Sequence, residues 1–576
     1  YHSQATAMQT EAHPVLTSPR SAVVHVALFT LVVLLTSCAS VEDVAAQRHA
    51  EEPEPIQAGV APPPGPYAPG FDAVHYHIRL VLPDEGNFIE GTTTGRFRVV
   101  PPQRDTLSLD LTGLAVTNVE VGGQAAAFRL DAGKLHVKMP AGVKVGDTLA
   151  VAVAYRGEPD DGLIIGANLH GEPAAFADNW PNRARYWFPS IDHPSDKATV
   201  TFEVHVPPAP GRMVIANGRM DAGTDESVWR WSNPEPIPTY TMVIGMAGFD
   251  VTTVGEACAA DVCTDVTTWL FPADAERGSG SFRRAAQMVE FYSELIAPYP
   301  YTKLAHVQSS TRFGGMENVT AVFYPEEAIS EGRNIETTVA HETAHQWFGN
   351  AVTESDWHHL WLSEGFATYF GALFFERADG REAFRELMES NRQGYLRSGA
   401  ASEPIVNPEQ QSLFGLLNAN NYAKGGWVLH MLRSQLGDEV FFEGIRSYYR
   451  RHEHGTALTD DLQEAMEAAA GRSLETFFEQ WVFRPGHPRL AVEWSWRDGE
   501  AEVAVRQTQS AEWPEFRFPL DLSFETPDGA VRHTVQIEDG EERFVLGVRS
   551  EPSALDLDPD GAMLMEIESI EGEASR

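Results

Sequence analysis

Ala340-His341-Glu342-Thr343-Ala344-His345-Gln346, followed by Trp361-Leu362-Ser363-Glu364-Gly365, is the stretch on which the reading of the chain turns. On a 3.6-residue helix, His341 and His345 project from one face and can bind a single metal ion, with Glu342 beside them. This is H-E-x-x-H, a zinc-site pattern. An amphipathic helix with two solvent-facing histidines would match the same positions, so the motif alone leaves two readings open. Glu364 favours the metal, because a second helix packed on the first would deliver its carboxylate as third ligand. A fourth position is then free for water, which separates a catalytic zinc from a structural one.

Two further segments flank the helix. Gly314-Gly315-Met316-Glu317-Asn318 lies upstream, after Ala305-His306-Val307-Gln308, which reads as a strand. Paired glycines let a peptide backbone approach closely, as an edge strand binding an extended substrate requires. Tyr422-Ala423-Lys424-Gly425 lies downstream, at the start of an apolar helical run.

Together these motifs resemble the zinc aminopeptidases of the aminopeptidase N and leukotriene-epoxide hydrolase family, from about Tyr76 to about Pro488. The resemblance implies one zinc per chain on His341, His345 and Glu364, Glu342 as general base, and Tyr422 as donor to the oxyanion. It also implies that Glu317 holds the free ammonium of the substrate, with Gly314, Gly315, Met316 and Asn318 binding around it. Two positions depart from the family pattern. Ser363 stands where Asn is common. Near the landmark Trp180 to Pro194, a family Gln or Glu that helps hold the amino end has no clear counterpart, with Asp178 the candidate.

The chain opens on Tyr1, so its stated start is not expected to be the natural initiator. The apolar run Ala22 to Leu35 is short for a membrane span and leads into Leu35-Thr36-Ser37-Cys38, which resembles a bacterial lipobox. The expectation is export, with residues 1–38 as leader and Cys38 as lipidated N-terminus. An ordinary cleaved signal is the alternative. Ala39 and Ser40 after Cys38 favour the outer membrane, facing the periplasm or cell surface. Residues 39–70, rich in Glu, Pro and Ala, read as a disordered tether.

The formal net charge of −39 argues against nucleic acid as a partner. Cys258 and Cys263 flank a short loop that an oxidising compartment would allow to close as a disulfide.

Hydrophobic periodicity divides the remainder into an α+β multidomain protein. Period-two runs such as Tyr76/Ile78/Leu80 and Val200/Phe202/Val204 predict an N-terminal β-sandwich or saddle domain over 71–255. Helical patterns from about Glu256, including Phe282 to Ile296, predict a thermolysin-like, mostly helical catalytic domain over 256–487. Asn334 is the expected N-cap of the metal helix. Alternation returns after Pro488, with Thr526-Pro527-Asp528-Gly529 as a hairpin turn, predicting a small C-terminal β-sandwich over 488–565 and an acidic tail over 566–576.

The expected activity is removal of N-terminal residues from peptides with a free amino end, with membrane contact only through Cys38. Three alternatives stand beside it: a thermolysin-type endopeptidase, an epoxide hydrolase on the same zinc site, and a catalytically inactive surface-binding module.

Overall fold

The computed structural model describes residues 59–62, 67–259 and 262–574; the leader, Cys38 and most of the tether lie outside them. The protein is an α+β multidomain chain with a β-rich N-terminal domain, a mostly helical catalytic domain and a C-terminal β region.

Alternation builds the N-terminal domain as expected. In the strand Phe71–Val81, Tyr76, Ile78 and Leu80 point into the core while His77 and Arg79 face solvent. That strand pairs antiparallel with Ile89–Val99 and parallel with Lys197–His205, at the centre of an eight-stranded sheet. A four-stranded sheet that includes Pro173–Ala177 and Ile244–Gly248 completes the layer nearest the catalytic domain's first sheet.

Three boundaries differ from the sequence reading. The catalytic domain's sheet begins at Asp250 rather than 256. Asp250–Ala259 and Val262–Leu270 form a hairpin that pairs with Leu304–Ser309, itself parallel to Ala321–Pro325. Thr-rich exposed faces hide the period there, and the first helical turn comes only at Ala275–Gly278. Cys258 and Cys263 sit opposite each other in this hairpin and are joined by a disulfide. The expected helix from Phe282 is likewise shorter, at Ala285–Leu295.

The second difference is the tether. Gly59 and Ala61 belong to the folded body: Gly59 N donates to Asn182 Oδ1 (2.8 Å), Leu413 N to Gly59 O (2.6 Å) and Ala61 N to Gln411 O (2.8 Å). Further on, Tyr67 OH donates to Asp110 (2.9 Å) and accepts from Arg185 (3.1 Å). Composition misleads here because backbone pairing and one aromatic ring order a segment otherwise poor in large apolar side chains.

The third is the acidic tail. Glu566–Ala574 is a strand, parallel to Arg489–Arg497 at the edge of a four-stranded sheet that, with a three-stranded one, makes up the C-terminal region. An edge strand needs only one hydrogen-bonded neighbour, so its acidic residues stay solvated, and Glu566 meets Arg489 at 3.2 Å. The Thr526–Gly529 turn closes as expected between Phe518–Thr526 and Gly529–Ile537.

In the catalytic domain the helix Trp361–Asp379 is apolar on all sides over most of its length and correspondingly buried. It packs on the metal helix Glu336–Ala344 and on the turn before Gly425–Leu436. A methyl group at Gly365 would stand 2.9 Å from Gly425 Cα, so only glycine lets these two elements approach. The metal helix has Ile335 rather than Asn334 at its N-cap, one residue later than expected, and Asn334 Oδ1 accepts from Glu336 N (3.1 Å) just ahead of it. No helix among the described residues is long and apolar enough to cross a membrane.

Removing residues 566–576 strips a paired strand from the C-terminal sheet. A distinctly lowered melting temperature by calorimetry is expected; an unchanged one would return the segment to the status of a tail.

Candidate metal centre and active-site cleft

His341 and His345 lie one turn apart on the metal helix, and Glu364 lies in the first turn of Trp361–Asp379. Nε2 of His341 and Nε2 of His345 are 3.0 Å apart, and each is 3.2 Å from Glu364 Oε2. Three donor atoms from two helices thus face one point.

The residues fit a metal on their own chemistry. His345 Nδ1 is 3.1 Å from the Phe348 carbonyl, which can only accept, so this nitrogen carries the proton and Nε2 keeps its lone pair for a ligand role. Charge points the same way. The carboxylates of Glu364, Glu317 and Glu342 surround His345, a local surplus of negative charge that a cation offsets. Two imidazoles and a carboxylate form the donor set of a catalytic zinc site.

Glu342 is buried beside the triad, its donor atoms within 4.8 Å of those of His345 and Glu317. Burial, then the carboxylates of Glu317 and Glu364, raise its pKa. Gly315 lies directly against it, and a methyl group there would overlap the Glu342 carboxylate. Tyr422 sits on a π-helical turn, Asn420–Lys424, stacked parallel to His341 with ring centres 6.0 Å apart. Its OH donates to Glu364 Oε1 at 2.8 Å. Burial and Glu364 hold its pKa well above that of a free phenol, so it stays a proton donor.

The expected substrate segment runs antiparallel to Ala321–Pro325 at the edge of the sheet: Met316 N donates to Phe323 O (2.9 Å) and Phe323 N to Met316 O (3.0 Å). Gly314, Gly315 and Glu317 line a cleft of about 530 Å³ with the metal triad, Glu342 and Tyr422. Met316 and Asn318 do not. Both are buried, and Met316 is held through its backbone against Phe323. Asp178, for which a plain loop aspartate is the alternative, is fully buried, pairs with Arg183 at 3.0 Å and accepts from Thr311 Oγ1 at 3.2 Å.

Other residues carry the site without having shown in the motifs. Ser363, set aside in the sequence because it is no ligand, places Oγ 3.1 Å from His345 Nδ1. Gly349 has φ 108°, and a methyl group there would overlap Ser363 Oγ and stand 3.0 Å from His345 Nδ1. Gln346 and Asn350 donate to the Glu317 carbonyl at 3.1 and 2.6 Å. The signal available was adjacency, since these residues directly follow His345 or precede Glu364. His358 and His359 stay off the metal, on Asp356 and Thr459 respectively.

Comparison with known proteins agrees with this geometry. Residues 72–241 match the Peptidase M1 N-terminal domain and residues 281–481 the Peptidase family M1 domain. The chain is 31% identical to Aminopeptidase M1 of Arabidopsis thaliana, over 56% of this chain and 38% of that one. It is 25% identical to Aminopeptidase N of Lactococcus lactis subsp. lactis, over 71% and 51%. It thus spans about half the length, or less, of these relatives. A crystal structure of an M1 zinc metallopeptidase from Deinococcus radiodurans superposes with a TM-score of 0.63 at 26% identity, covering 72% of this chain and 94% of that one.

Metal analysis should find about one zinc per chain, lost in His345→Ala. Gly349→Ala, which crowds the groups that orient His345, should weaken zinc affinity by about 10–100-fold, the range for outer contacts of a metal site. Unchanged affinity in a chelator competition would show that the turn does not orient the ligand.

Proposed function

The chain carries the N-terminal and catalytic domains of peptidase family M1, and from that premise we propose that it is a zinc aminopeptidase that removes N-terminal residues from peptides with a free amino end. One observation carries the reading: the buried carboxylate of Glu317 lies beside the triad, and the main-chain carbonyl of the same residue is held by Gln346 and Asn350, which follow the second histidine. A cleft with a metal centre alone would suit an endopeptidase. A carboxylate at a set distance from the reacting point makes the cleft a ruler that measures from the substrate's ammonium.

His341, His345 and Glu364 would hold the zinc. The ion supplies Lewis acidity, which acidifies water and polarises a carbonyl. The protein's own groups do the rest. Glu317 pairs with the substrate ammonium, and such charge-assisted bonds are about twice as strong as neutral ones. Gly315 leaves room for the substrate backbone next to Glu342. As the water oxygen attacks the carbonyl carbon, Glu342 takes its proton and passes it to the leaving nitrogen as the C–N bond breaks, a role worth about 10²–10⁴-fold. Tyr422 turns its O–H from Glu364 to the carbonyl oxygen as negative charge builds there, a contact worth about 10²–10³-fold.

Glu342→Gln should keep zinc and lose activity, since only the proton acceptor has gone. Glu317→Ala should keep zinc and lose both turnover and affinity. An N-acetylated peptide should resist the wild-type protein while its unblocked twin is shortened from the amino end. Internal cleavage of the acetylated peptide at a comparable rate would replace this reading with an endopeptidase.

We also propose that the protein is an exported lipoprotein anchored through Cys38. The supports are the apolar run Ala22 to Leu35 ending at a lipobox-like sequence and the Cys258–Cys263 disulfide, which belongs in an oxidising compartment. In a bacterial host with lipoprotein processing, the wild type should partition with membranes and Cys38→Ser should not; equal partitioning of the two would leave only a cleaved signal.

A further inference from the structure

Lys197 is one of few lysines in the chain, and it is half-buried where the N-terminal β domain meets the catalytic domain. Its Nζ lies 2.9 Å from Asn350 O, 3.0 Å from Ala351 O and 3.0 Å from Gly455 O. An ammonium has three N–H donors, and here all three are spent on main-chain carbonyls rather than on a carboxylate. Burial pushes its pKa down to about 7 against the upward pull of the Glu354 carboxylate, so holding an ammonium here is costly.

Two of the three carbonyls, those of Asn350 and Ala351, belong to the turn that follows the metal helix. The turn after His345 is gripped from outside by two side chains of the N-terminal domain, Lys197 on Asn350 and Ala351, and Tyr240, whose OH donates to Gly349 O at 3.2 Å. From inside, the same turn grips the site. Asn350 N donates to His345 O at 3.1 Å, and Asn350 Nδ2 donates to Glu317 O at 2.6 Å. The carbonyl of Asn350 is therefore held by Lys197 while its side chain holds Glu317.

We infer that Lys197 is a positioning residue for the amino-end anchor, setting the distance between Glu317 and the metal ligands through Asn350. The inference rests on the aminopeptidase reading of Glu317. It makes the N-terminal domain part of the ruler rather than a neighbour of it. Arginine would not replace this lysine, because a planar guanidinium fork cannot satisfy a tripod of carbonyls.

The test compares two inhibitors, leucine hydroxamate and N-acetyl-leucine hydroxamate, on the full-length wild type, Lys197→Met and Asn350→Ala, with zinc content measured in parallel. Wild type should bind the free-amine compound more tightly than the acetylated one. Both variants should keep zinc and lose about tenfold in affinity for the free-amine compound, a partial loss of one charge-assisted contact, with little change for the acetylated one. In turnover of an aminoacyl reporter, KM should rise by more than kcat falls. Equal loss for both inhibitors, or loss of zinc, would mean a general structural role and overturn the inference, as would wild-type discrimination in both variants. Should Lys197→Met fail to fold, Asn350→Ala decides by the same ratio. If the wild type itself binds the two inhibitors equally, the aminopeptidase reading falls first, so the two failures are distinct.

Discussion

Two imidazole nitrogens 3.0 Å apart, both turned to one buried carboxylate oxygen, are an arrangement that polar groups do not adopt unaided. A buried charge is tolerable only when paired, and lone pairs aimed at one another repel. The catalytic domain is organised to hold this constellation in place. One helix supplies the histidines, a second and almost wholly buried helix supplies the carboxylate, and a glycine contact lets the turn bearing Tyr422 settle against that second helix. Rigidity here is a requirement of the chemistry, because a reacting carbonyl misplaced by about 1 Å costs on the order of 10²-fold.

The constraint spreads outward through main-chain hydrogen bonds. His345 is oriented by the carbonyl of Phe348, and the turn that carries this carbonyl also bonds the backbone of Glu317 through Asn350. Glu317 sits on a segment paired to the sheet edge, and the same sheet continues into the hairpin that begins at Asp250. The candidate metal ligands, Glu342 and Glu317 are therefore one unit made from both sheet and helix.

The parts of this unit that the sequence displays are those whose periodicity and chemistry coincide. His341 and His345 are legible because helical spacing puts them on one face, and Glu364 because a fresh apolar run follows it. Tyr422 and Glu317 are legible only through resemblance, since a lone tyrosine before a helix is ordinarily a core residue. Gly349, Asn350 and Lys197 escape notice because they act through backbone carbonyls or through space denied to a side chain, and neither leaves a spacing pattern. The edges of the domains escape for a similar reason. The strand Glu566–Ala574 and the hairpin from Asp250 have exposed faces, so alternation of apolar residues does not announce them.

The pairing of Gly59 and Ala61 with Gln411 and Leu413 bears on where the enzyme begins. Gly59 has φ 77° and lies against the ring of Phe414, which in turn meets Trp180 edge-on at 5.7 Å, and Trp180 meets Phe313 of the cleft wall at 5.9 Å. The upstream segment is thus a splint across the joint between a loop of the catalytic domain and the landmark segment of the N-terminal domain. Loss of this pairing would release the splint and uncover the Phe414 ring where it meets Trp180. The folded body thus takes in Gly59 and Ala61, well before the first strand of its first sheet.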